Sequence, residues 1–287
     1  MKKAVRIPAM RRTVFLVPVK HATLVSTATR PSSAHALRPL KRIGFSRTDY
    51  ERFAARILAA AAEPRTTRHL QDAAGLKGAE LGTVIRCLRY EGRLLTLAGD
   101  SLYSSPHRYV STSTWLPEGL DAGDEAAALG WLAGEYLRAY GPARVADFVW
   151  WTGAGRTAAR RAIKMHATID VGNGQLLLAK DEAAFSKIPA LRNSTAVLPK
   201  WDAYTMGHAP DGRVRFVHPD VQQRVYTPIG TGLPGDGNPV VLVDGEAVAT
   251  WTLTQKDGAK IQAFDTLGAR TRKAIANKLA ELTSLLA

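Results

Sequence analysis

Residues 66–97 read TTRHLQDAAGLKGAELGTVIRCLRYEGRLLTL. Their pattern decides whether this part of the chain is a nucleic-acid reader or only a compact helical core. One helix opens at Thr66 or Thr67, carries Leu70, Ala73 and Ala74, and stops at Gly75. A second runs from about Ala79 to Tyr90, with Leu81, Val84, Ile85 and Leu88 spaced i, i+3, i+4 and i+7, one apolar helical face, and Gly92 closes it. Leu95, Leu97 and Leu102 around a Gly99-Asp100 turn then predict a hairpin. Upstream, residues 48–62 put Phe53, Ile57 and Leu58 on one stripe, with Thr48 or Asp49 as cap and Pro64 as stop. Three helices followed by a hairpin are the parts of a winged helix-turn-helix.

The same order recurs. Residues 124–140 place Leu129, Leu132, Ala133, Tyr136, Leu137 and Tyr140 on one stripe, broken by Gly141-Pro142. A short helix around Val145 to Trp151, a third from Gly155 to about Met165, and a hairpin from Ile169 to Leu178 turning at Gly172-Asn173-Gly174 complete a second unit. Repetition makes either match harder to ascribe to chance. After about residue 190 the pattern turns to strands: STAVLP, RVRFV, NPVVLV and EAVATWTLT, with turn dipeptides at Asp211-Gly212, Asp244-Gly245 and Asp257-Gly258. A final helix from about Arg270 to Leu286 carries Ile275, Leu279 and Leu282, and it should pack on a small sheet or partial barrel.

With 287 residues, 46% of them hydrophobic, the chain can bury a substantial core. Its net charge of +14 is lopsided: residues 1–48 hold eleven Lys or Arg and no acid, leaving the remainder at only +3. Such a charge favours an anionic partner, and DNA comes ahead of a membrane because no apolar stretch reaches the roughly 18 to 20 residues of a span. The basic end reads as an arm or an acid-poor transit segment, but TVFLVPVKHATLV within it looks like strand then helix. The single cysteine, Cys87, excludes an internal disulfide framework and a cysteine-clustered zinc site, which makes a reduced cytoplasm the simplest home. The seven histidines show no ligand spacing, so neither a metal nor another cofactor is expected.

Candidate contact residues follow from the helices. Opposite its apolar stripe, the helix ending at Tyr90 carries Thr83 and Arg86, with Lys77 before it and Arg89 beside it; such donors suit phosphates and acceptor-rich base edges. In the second unit Arg156, Arg160 and Lys164 lie at i, i+4 and i+8, with Arg161 alongside, and their mutual repulsion would be relieved by an anion or by an acidic neighbour such as Asp147. GTGLPGDGN, residues 230–238, lacks the Lys-Ser/Thr pair and helix start of a phosphate loop and reads as a connection. In LPKWDAYTMGH, residues 198–208, Asp202 stands between Trp201 and Tyr204. That arrangement suits base stacking around a carboxylate, or else a capping Asp among core aromatics.

Three stretches together resemble one family: AMRRTVFLVP (9–18), YGPARVADFVWWTGA (140–154), and VLPKWDAYTMGH with PVVLVDGEAVATW (197–208 and 239–251). They are similar to the bacterial AlkZ-type winged-helix proteins, which include DNA glycosylases that unhook interstrand crosslinks and other bulky alkylated purines. The resemblance implies three tandem winged-helix units set as a C around DNA with a small β-rich element. It carries Met10, Arg11, Thr13 and Val17 onto the family's strand motif, adds Arg11 and Arg12 to the expected DNA contacts, and finds Phe15 where the family commonly has His. The family's catalytic signature is a Gln-x-Gln or Gln-x-Asp pair in a helical region ahead of that strand. The resemblance implies that this chain starts partway into the first unit; no Gln-x-Gln occurs in it, and Gln222 and Gln223 are adjacent.

The expected fold is therefore α+β: tandem winged helix-turn-helix units with a small C-terminal β-rich element and terminal helix. The divisions are 1–47, a basic remnant of a first winged helix; 48–110 and 120–180, two winged helices; and 190–287, the β-rich element. The expected partner is DNA, held mainly through phosphates, and a shortened first unit would leave apolar surface that a dimer could cover. Two alternatives are an active glycosylase, for which Asp202 is the candidate catalytic group, and a winged-helix regulator without chemistry.

Overall fold

The computed structural model describes residues 3–97, 107–121, 123–226, 236–254, 256 and 258–286. The chain divides into two compact units: unit 1 is Met1–Tyr136 with Thr152–His166, and unit 2 is Leu137–Trp151 with Ala167–Ala287. Helices of two turns or more are numbered here.

The basic N-terminal segment is folded. Strands β1 (Ala4–Pro8) and β2 (Val14–Pro18) pair antiparallel, with Ile7 opposite Phe15, and helix α1 (Val19–Thr29) follows. The strand-then-helix reading of TVFLVPVKHATLV holds, but β1 was not foreseen. Val5 and Ile7 are buried on alternate positions of β1, which lies against α4 (Gly78–Tyr90) and β4 (Leu94–Leu97). The outward face of β2 leaves Val14 and Leu16 exposed.

Helix α2 (Arg47–Ala60) begins at Ser46 rather than at Thr48 or Asp49. Ser46 Oγ accepts from the Asp49 backbone N–H at 3.1 Å while the Asp49 carboxylate accepts from the Ser46 N–H at 3.1 Å, a reciprocal box that Asp49 completes from the third helical position. Its buried stripe is also displaced from the expected Phe53, Ile57 and Leu58. Tyr50, Ala54, Ile57 and Ala61 are buried, with Phe53 and Leu58 at the margin. Tyr50 decides this: its ring goes inward and its hydroxyl donates to Glu91, so the phenol is held above its ordinary pKa by burial and then by that carboxylate.

Helix α3 (Thr67–Ala74) stops at Gly75, where the backbone turns left-handed at φ +71°, as a glycine stop requires. Helix α4 ends before Gly92, and β4 pairs with β5 (Arg108–Ser111), which also pairs with β3 (Arg65–Thr66). The expected turn at Gly99-Asp100, with Leu102, lies outside the described residues. Leu70, Leu81, Val84, Leu88 and Leu94 join the α2 stripe in one core.

The order of three helices and a hairpin then repeats as α5 (Glu125–Tyr140), α6 (Val145–Thr152), α7 (Arg156–Ile163), and the pair β6 (Thr168–Asp170) and β7 (Leu176–Leu178). Glycines 130 and 134 on α5 leave room for Met165 and His166, and a His166 ring nitrogen lies 2.7 Å from the Gly130 carbonyl oxygen. This fixes the C-terminal end of α7 in unit 1.

Unit 2 holds an open antiparallel sheet in the order β11-β10-β9-β8, made of β8 (Thr195–Leu198), β9 (Val240–Val243), β10 (Glu246–Thr254) and β11 (Gly258–Ala263). Asp244 and Gly245 turn β9 into β10 with φ of 52° and 89°, both left-handed as a tight hairpin demands. Successive β9 residues alternate faces. Val241 joins Ala249, Trp251, Ile275 and Leu279 under helix α8 (Ala269–Leu286), while Val240 and Leu242 join Phe216, Val217, Val225 and Tyr226. The RVRFV stretch is not a strand. Pro210 starts a 3-10 helix over Pro210–Arg215 that buries Arg213 and leaves Val214 60% exposed, the reverse of what alternation would give. Among the described residues no helix is long and apolar enough to cross a membrane.

Candidate nucleic-acid interface

Helix α7 buries Ala159, Ala162 and Ile163, so Arg156, Arg160 and Arg161, with Lys164 just beyond its end, fall on the solvent side. These four cations make no hydrogen bond or ion pair among the described residues. Asp147, the acidic neighbour considered above, is committed elsewhere, as described below.

The entrance to α7 meets a second basic feature. Between β1 and β2, Arg11 and Arg12 take consecutive left-handed conformations, φ 50° and 64°, which side-chain-bearing residues adopt only at a cost of about 1 kcal/mol or more each. The turn is held by four bonds: Ala9 N–H to Thr13 O (2.8 Å), Arg12 N–H to Ala9 O (2.8 Å), Thr13 N–H to Met10 O (3.1 Å) and the Thr13 hydroxyl to Met10 O (2.9 Å). Buried Ala9 and Met10 anchor it and both arginines project. The turn packs beside Gly153: a Cβ there would lie 3.5 Å from Arg11 Cγ and 3.7 Å from Arg11 Cα, ordinary van der Waals distances, so it is the left-handed φ of +77° rather than lack of space that calls for glycine. Arg11 thus stands at the approach to the α7 row, and Arg12 contacts His35 through its guanidinium.

Helix α4 offers less than its sequence promised. Lys77 and Arg86 are exposed, but Thr83 is 6% exposed and cannot contact a partner. Arg89 is half-buried, its Nε enclosed without a hydrogen-bond partner among the described residues, and burial lowers its affinity for the proton. Strand β1 lies against α4, and Arg6 on it disfavours the charge on Arg89. Cys87, also on α4, is fully buried, and burial pushes its thiol up to about 11.

In unit 2 the expected cluster around Asp202 resolves into a turn. Asp202 Oδ1 accepts from the Tyr204 N–H at 2.8 Å, and its carbonyl accepts from Met206 N–H at 3.0 Å and the Thr205 hydroxyl at 3.1 Å. Trp201, at φ 57°, is 54% exposed with the Lys200 ammonium 4.2 Å above its ring. Tyr204 is 41% exposed and packs on Phe216 with centroids 5.2 Å apart. Trp201 therefore presents a free aromatic face and Tyr204 a partial one. Gly207 is required below them, because a methyl there would lie 2.5 Å from the Tyr140 ring.

Sequence reading missed the ion network beside this turn. Fully buried Asp147 sits in the first turn of α6, accepting from Arg144 Nη2 (2.8 Å), Arg144 Nε (3.1 Å), Arg144 N (2.9 Å) and Ala209 N (3.0 Å). Burial alone would raise its carboxyl; the Arg144 and Ala209 hydrogen bonds outweigh it and hold the pKa below the usual value. Arg144 also grips Asp211 through both Nη atoms, at 2.8 and 2.9 Å. His208, 1% exposed among Tyr140, Tyr204 and Phe216, is lowered to about 4, first by burial and then by nearby arginines.

A model of the DNA glycosylase AlkZ-like family matches residues 1–285. The chain belongs to that family. Among solved structures it is similar to Streptomyces sahachiroi DNA glycosylase AlkZ, with a TM-score of 0.74 and 17% identity over 98% of this chain and 80% of that one. A comparison with curated proteins finds no match. In this AlkZ-like chain the structure brings Arg11, Arg156, Arg160, Arg161 and Lys164 onto unit 1 in neighbouring positions, while Trp201, Asp202 and Tyr204 lie in unit 2. Gln222 donates its side-chain amide to the Pro210 carbonyl at 3.1 Å. A Gln-x-Asp triplet that sequence reading passed over, Gln255-Lys256-Asp257, connects β10 to β11, and its outer residues lie outside the described ones.

Proposed function

We propose that this AlkZ-like protein binds duplex DNA chiefly through phosphate contacts from Arg11, Arg12, Arg156, Arg160, Arg161 and Lys164, with Lys77 and Arg86 as a second group. In this reading α2–α4 with their hairpin, and α5–α7 with theirs, act as winged-helix units that grip the backbone rather than spell out bases. The observation that carries it is the meeting of a strained, double-arginine turn with the unpartnered basic row of α7. Left-handed arginines cost backbone energy and like charges along a helix repel, and an external anion would offset the repulsion along α7. Fluorescence anisotropy with a short duplex at two salt concentrations tests the reading. Affinity is expected to fall steeply with salt, and a flat response would overturn it.

Family membership favours a second reading, hydrolysis of the N-glycosidic bond of bulky or crosslinked alkylated bases. Exposed Trp201 supports it as a surface on which an unstacked base could lie. Release of base from N7-alkylated duplex, followed by chromatography, is the direct test. Asp202→Asn should leave that release intact, because asparagine caps the same turn; loss of release would assign chemistry to the carboxylate.

A further inference from the structure

Below the double-arginine turn, unit 1 encloses a narrow cavity of about 10 Å³, room for one water-sized oxygen. Arg12, Arg30 and Arg89 line it, and no lining residue is acidic. Nε of Arg30 and Nε of Arg89 are both buried without a hydrogen-bond partner among the described residues. The rest of the Arg30 guanidinium is fixed: it donates to the Leu120 carbonyl and to Ser26 Oγ (3.4 Å), and it pairs at 3.3 Å with Asp121, which faces solvent. Arg89 is placed by the last turn of α4, where a cation is favoured by the helix dipole. Arg6 on β1 adds its charge to the same corner and disfavours the charge on Arg89.

A water there would accept from these donors and donate to the Ser26 or Thr29 hydroxyl oxygens, but it would leave the charge of three guanidinium groups without a counter-charge in the lining, which an anionic oxygen supplies. We infer that Arg12, Arg30 and Arg89 form a seat for one phosphate group, a single non-bridging oxygen entering the cavity between the two Nε–H donors. Arg12, at the exposed turn, closes over the remaining oxygens. The seat shares Arg12 with the DNA reading but none of the α7 row, and Arg30 and Arg89 report on it alone: inorganic phosphate and a DNA phosphodiester present the same oxygen.

The test follows the arginine Nε–Hε resonances of the whole chain labelled with ¹⁵N, assigned through Arg30→Lys and Arg89→Lys. Inorganic phosphate is titrated at constant ionic strength against chloride, and a short duplex is added in a separate series. The Arg30 and Arg89 signals are expected to shift saturably with phosphate, duplex or both, and not with chloride. Arg89→Met should raise the half-saturating concentration about tenfold or more, the loss of one charge-assisted bond. A response to duplex alone assigns the seat to DNA backbone, and a response to phosphate alone assigns it to the free ion. Signals that stay fixed in both series overturn the seat. If the duplex still binds with steep salt dependence in that case, the DNA reading survives; saturable phosphate shifts without duplex binding leave the seat and remove that reading.

Discussion

On α7 in unit 1 the cations face water and have no acidic partner among the described residues, whereas in unit 2 Arg144, Arg213 and Arg215 turn inward and are consumed by the fold. Arg144 holds two carboxylates. Arg213 is 1% exposed, its guanidinium 3.7 Å from the Tyr226 ring centre and 4.9 Å from that of Trp150, and Arg215 donates to the Pro142 carbonyl and to Gln175, each at 3.0 Å. The same residue type is left open to solvent on α7 and is tied into the fold around Arg144. Salt should therefore act on what unit 1 binds, and pH on whether unit 2 stays folded.

The largest break in that contrast is Asp147→Ala. It takes away one of the two carboxylates that hold Arg144, leaving only Asp211, and deprives two backbone N–H groups of their acceptor, so chemical denaturation should register a loss of about 3–5 kcal/mol. Next comes acid. His208 titrates near 6.5 when unfolded and about 4 when folded, so the unfolded chain takes up its proton first and stability declines as pH falls through that window. The loss approaches about 3 kcal/mol. His208→Gln should flatten the pH dependence of unfolding between those limits. The Asp147 carboxyl, lowered from 3.8, adds its own loss only at lower pH still.

A smaller effect, of opposite sign, is expected at Arg11→Gly. Glycine adopts the left-handed turn without a Cβ penalty, so the melting temperature should rise by the equivalent of about 1 kcal/mol while DNA affinity drops. Smallest for stability is Arg160→Ala, within about 0.5 kcal/mol, yet it should reduce the slope of log K against log salt by about 1. An Arg160 variant that destabilised the chain like Asp147→Ala would erase the distinction between the units.

Local signals were legible in the sequence. The apolar stripe of α4, the glycine stops at 75 and 92, the succession of three helices in each half of the repeat, and the C-terminal helix appear where periodicity places them, whereas the strand that pairs with β4 begins only at Arg108. What escaped depends on contacts between distant segments. Thr83 is buried although it lies off the apolar stripe of α4, and RVRFV is coiled by Pro210 although its composition suits a strand. At the candidate interface the α7 row was readable from spacing alone, but the packing of Arg11 beside Gly153 at its entrance was not, nor was the Arg30–Arg89 cavity, which depends on α1 and α4 converging. Asp147 looked like a neighbour for the exposed row because sequence distance says nothing of burial; Arg144, three residues before it, claims the carboxylate.

The left-handed pair at Arg11 and Arg12 has a consequence at the level of the gene. Every arginine codon lies one base away from a glycine codon, so a relaxed backbone is within reach of a single point mutation at either position. Drift toward stability alone would take that step readily. At Arg12 that step would relax the backbone and in exchange give up the guanidinium contact with His35.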